Sequence, residues 1–188
     1  MQLFLSLPLL AAMVAAVATD FRAQKIPNLI TLPLMLYGLC YHVITSGFSG
    51  LSFSFLGIIT GIGIFIIPYI MGGMGAGDAK LMGGAGALIG AKGAFISGIF
   101  SILLGLVYAV ILLVIYSKYG IGFIKNTGSA IKTFFFTRQW IYIPPESEEK
   151  RPTLCYALPI ALGTLIYIYL KATGSTLIQD LLGIRFSL

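Results

Sequence analysis

The sequence predicts an all-α polytopic membrane protein, a bundle of about six transmembrane helices with an interfacial amphipathic helix. Three observations predict it. Of 188 residues, 58% are hydrophobic and only 10% are charged, far too apolar for an ordinary soluble domain. Six segments approach the roughly 17–25 apolar residues that a helix needs to cross hydrocarbon. The 12 basic residues outnumber the 6 acidic ones and gather at the ends of alternate segments, as membrane orientation requires. The net charge of +6 therefore points to membrane lipid and not to nucleic acid. The length allows one compact transmembrane domain over 1–188 and no large soluble domain.

The first span covers about 2–20. No Lys or Arg precedes Arg22, so it lacks the basic leader of a signal peptide and reads as a retained span. Arg22 and Lys25 follow it and place its C-terminal end in the cytoplasm. Pro27 suits the first turn of span two, 28–45, where its missing N–H costs nothing. Asn28 follows at the cytoplasmic edge. His42, the only histidine, falls toward the outer end of that span and reads as structural. Span three covers 51–71. Span four, 78–91, is short and rich in glycine; span five is 94–116 and span six 154–171. Gly57 and Gly61, and Gly86 and Gly90, form small-xxx-small pairs that predict close helix packing. Cys40 and Cys155 have no metal-ligand spacing and read as small buried hydrophobes.

The one long connection is 117–153. Lys118, Lys125 and Lys132 recur every seven residues on one helix face, with Phe123, Ile124, Ile131 and Phe134 on the opposite side. This predicts a helix lying on the cytoplasmic leaflet, with Trp140 and Tyr142 at the headgroups. A polar break over 144–152 follows. The residues after 172 read as a short amphipathic tail. With the N-terminus outside, nine of the basic residues fall on the cytoplasmic side and three (Lys92, Lys171 and Arg185) outside, in accord with the positive-inside rule.

Only two acids, Asp20 and Asp78, occur before residue 146. A carboxylate beside hydrocarbon is costly, and it marks a functional site by default. On the six-span topology both lie at the cytoplasmic edge, at the same depth, as a pair requires. Two adjacent carboxylates cannot easily both ionise, so they share a proton. One can then take a proton from water while the other donates to a carbonyl, the requirement for peptide hydrolysis. Helix position favours Asp78, at a helix N-terminus, as the anion over Asp20, at a helix C-terminus. Gly72, Gly73, Gly75 and Gly77 precede Asp78 and leave room for an extended substrate backbone, with positive φ allowed. Gly75, Gly77 and Lys80 are thus candidates for shaping the loop or binding substrate. The rival reading is a small proton- or cation-coupled transporter or channel using the same aspartates. It is disfavoured because neither acid lies at midplane and no inverted repeat appears.

These residues resemble the type IV prepilin peptidase, or leader peptidase, family. Its first motif is similar to Asp20-Phe21-Arg22-Ala23-Gln24-Lys25-Ile26-Pro27-Asn28. Its second is similar to Gly75-Ala76-Gly77-Asp78-Ala79-Lys80-Leu81. A weaker third similarity is Pro159-Ile160-Ala161-Leu162-Gly163. The resemblance implies an aspartic endopeptidase with Asp20 and Asp78 as the catalytic pair. Its substrate would be the short basic leader of a prepilin or pseudopilin precursor, cut at the cytoplasmic face of the cell membrane. Larger members of the family add a domain with paired C-x-x-C motifs linked to N-methylation. This chain lacks those cysteines, so it resembles the short tight-adherence (Flp) pilus peptidases, with archaeal preflagellin or prepilin peptidases as a nearby alternative, and methyltransferase activity is not expected. Presenilin-like enzymes share Gly-x-Gly-Asp but have a Tyr before the first acid, where this chain has Thr19. The expected partners are the precursor peptide and membrane lipid. No nucleic acid, cofactor or metal is implied, and the sequence sets no oligomeric state.

Overall fold

The computed structural model describes residues 2–70, 73–115 and 155–173. Among them the chain is entirely helical: α1 (Gln2–Ala23), α2 (Asn28–Ile70), α3 (Ala76–Ile115) and α4 (Ala157–Thr173). The first three are long and apolar enough to cross a membrane, and α4 is a shorter apolar helix. The amphipathic segment expected over 117–153 lies outside the described residues, as does the tail beyond 173. The chain forms two compact units, Met1–Gly105 with Cys155–Leu188, and Leu106–Leu154. All features of the core and site described below belong to the first.

A straight helix of the 43 residues of α2 would run about 64 Å, twice the hydrocarbon thickness of about 30 Å. Gly47 breaks it, with φ 60 and ψ −137, a region that only glycine enters readily. The His42 and Phe53 rings then meet with centroids 4.8 Å apart. A straight helix would hold those residues about 16 Å apart, so the chain turns back at Gly47. α3 turns back in the same way at Gly90 (φ 76, ψ 176). A Cβ on Gly86 would stand 3.2 Å from the Ala94 Cβ, where a straight helix would separate the two residues by about 12 Å. Gly90 was expected to serve close packing; it also serves a reversal, and the Phe53 ring lies against it.

The other expected glycine contacts do bring backbones together. A Cβ on Gly57 would overlap the Gly86 carbonyl, and one on Gly61 would overlap the Met82 carbonyl. In lipid, where apolar surface gains little by leaving the solvent, such close approach is what associates helices. Buried hydroxyls add to it. Ser54 donates to the Ala87 carbonyl at 2.8 Å, and Ser97 donates to the Thr164 hydroxyl at 2.9 Å. Bonds of this kind contribute about 0.6 kcal/mol on average. His42 Nε2 donates to the Leu88 carbonyl at 3.3 Å, in keeping with a structural role.

Cys40 departs from expectation, being exposed on α2. It shares an outward stripe with Leu36 and Ile44, which are 60% and 84% exposed. A lipid-facing surface is as apolar as a core, so apolar character alone does not report burial here.

Three inward stripes end at one place. On α1, Leu9, Met13 and Ala16 are buried, and Asp20 continues their face. On α3, Leu81, Met82, Ala85 and Leu88 are buried, and Asp78 stands at the head of that face. On α4, Ala157, Ile160, Ala161 and Thr164 are buried. The side chains of these stripes pack into one apolar cluster.

Candidate active site

Asp20 and Asp78 are each only 7% exposed. Asp20 lies in the last turn of α1. The helix ends at Gln24, whose positive φ of 52 lets its N–H donate to the Asp20 carbonyl at 2.8 Å, a left-handed stop that reverses the chain. The Asp20 carboxylate accepts through Oδ2 from the Ala157 N–H at 3.2 Å, and Ala157 is the first residue of α4.

Asp78 is the third residue of α3. Its Oδ2 accepts from the Gly75 N–H at 3.0 Å, and its own N–H donates to the Gly75 carbonyl at 3.1 Å. The side chain thus reaches back to the cap residue three positions earlier, as the acid of a capping box does. Its Oδ1 is buried and has no hydrogen-bond partner among the described residues. Thr31 Oγ1 is the other buried side-chain oxygen in this state among the described residues.

The two carboxylates are near enough to interact electrostatically. The segment just before α4 lies beside both. Burial first, then the Asp20 and Asp78 charges, push the Cys155 thiol up. Burial and then the Asp78 charge push the Tyr156 hydroxyl up. Cys155 is buried, as its small apolar character predicts, but nothing in its residue type tells that it borders the acids.

The glycines before Asp78 act differently from one another. Gly77 lies inside the first turn of α3, and a Cβ there would come 3.0 Å from the Ile26 Cβ. Its role is close approach to the loop after α1. Gly75 supplies the cap. Neither these two nor Gly73 takes positive φ; Gly72 lies outside the described residues. Lys80 Nζ donates to Asn28 Oδ1 at 3.0 Å. The two motifs therefore touch at Gly77 with Ile26 and at Lys80 with Asn28. Sequence reasoning missed both contacts, because a lysine and an asparagine at helix starts carry no sign of their partner.

Helix position separated Asp78, at a helix N-terminus, from Asp20, at a helix C-terminus, as the better anion. Asp20 does lie in the last turn of α1, but its carboxylate also accepts from the first N–H of α4, so two helix ends act on it in opposite senses.

What the arrangement can do is limited by its parts. Two buried acids, each accepting from one backbone N–H among the described residues, are groups capable of proton exchange. No curated protein and no solved structure gives a match to the chain. The model of the type IV leader peptidase family matches residues 7–110, which include both aspartates and both motifs. That family indicates a protease, and the apolar helices are those of a membrane protein. By the match over more than half its length, the chain belongs to the type IV leader peptidase family.

Proposed function

We propose that this protease is an intramembrane aspartic endopeptidase that removes the short basic leader from type IV prepilin-like precursors at the cytoplasmic face. What supports the reading is the pair Asp20 and Asp78: they come from two separate motifs, are almost fully buried, and lie near enough for the charge of one to bear on the other, in a chain of this family.

The topology is six crossings, over about 2–23, 28–46, 48–70, 76–89, 91–115 and 157–173. The reversals at Gly47 and Gly90 support dividing α2 and α3 into two crossings each. With the N-terminus outside, the distribution of basic residues then places both aspartates at the cytoplasmic edge of an inner or plasma membrane.

The reaction follows from a shared proton. The ionised carboxylate of the pair takes a proton from water, and the hydroxide attacks the scissile carbonyl carbon. The protonated carboxyl gives its proton to the carbonyl oxygen. The tetrahedral diol then collapses. The carboxyl that took the water proton gives it to the leaving nitrogen, the other carboxylate takes a hydroxyl proton back, and the C–N bond breaks. This leaves one acid ionised and one protonated, as before. Gly75 holds one oxygen of Asp78 and leaves Oδ1 for the reacting atoms.

The test is cleavage of a prepilin from the same genomic neighbourhood by membranes carrying the protein. Wild type should cut, while Asp20→Ala and Asp78→Ala at equal abundance should not. Cleavage that survives either substitution removes the dyad.

A further inference from the structure

We infer that the N-terminus of α4 is part of the catalytic apparatus: the Ala157 N–H is a positioning group that fixes the Asp20 carboxylate against Asp78. The inference rests on the reading of Asp20 as catalytic.

The first residue of a helix has an N–H with no partner inside the helix. Capping usually comes from a side chain just before the helix. Here the position before α4 is Tyr156, whose carbonyl accepts the first helical bond from the Ile160 N–H at 3.2 Å. A tyrosine offers no short oxygen to cap with. The cap comes instead from another helix, through Asp20 Oδ2 at 3.2 Å from the Ala157 nitrogen. Both ends of this bond are shielded from water, since Ala157 is 0% and Asp20 7% exposed. A hydrogen bond to a charged group in such a place is strong and directional.

The segment that carries this cap is also near the second acid. Cys155 lies within reach of the charges of both Asp20 and Asp78, and Tyr156 within reach of Asp78. The second acid keeps one buried oxygen, Oδ1, with no hydrogen-bond partner among the described residues. Asp78 is held by its own loop through Gly75, whereas Asp20 is held by a helix more than a hundred residues away in sequence. The carboxylate oxygen bound by Ala157 sets the rotation of Asp20, and with it the face turned to its partner. Ala157 itself touches no reacting atom; it acts through Asp20.

The experiment replaces the Ala157 N–H with an ester oxygen, by incorporating the α-hydroxy analogue of alanine at that position in the full chain. This removes the donor and adds no bulk. The same exchange at Ile160 removes an ordinary helical bond to Tyr156 and is the control. The ester at 157 should lower kcat about tenfold to a hundredfold, the range for losing a hydrogen bond to a charged group, with KM within about twofold. The ester at 160 should leave both constants near wild type. Equal effects at the two positions, or wild-type kcat with the ester at 157, overturn the inference. A second readout needs no turnover. The infrared carboxylate band that vanishes in Asp20→Asn should shift with the ester at 157 and not with that at 160. A shift in a protein that never cleaves prepilin supports the contact and removes the proposed function. An unmoved band overturns the contact whatever the activity.

Discussion

Beside Asp78, Gly75 and Gly77 take ordinary backbone angles and leave two buried acids with one backbone donor each. Gly47 and Gly90 take positive φ and turn the chain back; the Phe53 ring lies against Gly90, while a Cβ on Gly47 would meet open space. At the first end the absence of a side chain at Gly77 makes room for the loop at Ile26. At the second it permits positive φ and, at Gly90, a contact with Phe53 that a Cβ would block. On the proposed function the first end serves chemistry and the second folding, and substitutions at the two ends should fail in different ways.

The sharpest way to break that contrast is Asp78→Asn. The amide oxygen can still accept from Gly75, so the cap and fold should survive. Proton transfer should not, and the cleavage rate should drop by at least about 100-fold. The check is a cleavage assay beside a thermal melt in detergent. A melt that falls together with activity would place Asp78 in the folding class instead. Gly57→Val should show the opposite pattern. Its side chain meets the Gly86 carbonyl, and overpacking of this kind costs about 1–3 kcal/mol. The melt should fall, and activity should track the surviving folded fraction, as measured by size-exclusion recovery after heating.

A third prediction uses the buried thiol as a reporter of the acids. Burial and the charge of the nearby acid pair hold the Cys155 thiol up, so its reactive thiolate is scarce at neutral pH. Maleimide labelling in a Cys40→Ala background should therefore be slow and rise with pH. Asp20→Asn combined with Asp78→Asn removes the charge of the pair and should move the labelling curve to lower pH. An unmoved curve would separate Cys155 from the site. The smallest effect is expected within the apolar packing. Ser97→Ala deletes the bond to Thr164 and should lower stability by about 0.6 kcal/mol, and at most about 1.7 kcal/mol, read as a small melt shift with the cleavage constants unchanged.

Much of the site was legible because expensive residues stand out against hydrocarbon. Asp20 and Asp78 are the only acids in a long apolar stretch, and the glycine run beside the second has few other uses. The close approach of Gly57 to Gly86 was likewise readable, since small residues at helical spacing mark contact in membranes. Cys40 shows where this reasoning fails. Without water as solvent, an apolar residue can face outward at no cost, and hydrophobicity stops reporting burial.

The sequence by itself determined the helical class, the apolar segments, the two motif acids and membership of a membrane protease family. Its physical basis is local: hydrocarbon demands long apolar helices, and a charge at their edge demands a reason. Only the tertiary structure decided which backbone groups hold those acids. Ala157 and Cys155 carry no chemical signature, and their place beside Asp20 depends on how α1 and α4 pack. The clasp of Lys80 on Asn28 and the second helix end that reaches Asp20 have the same origin. Backbone N–H groups are identical in every residue but proline, so the sequence cannot announce which of them the fold will turn toward a carboxylate.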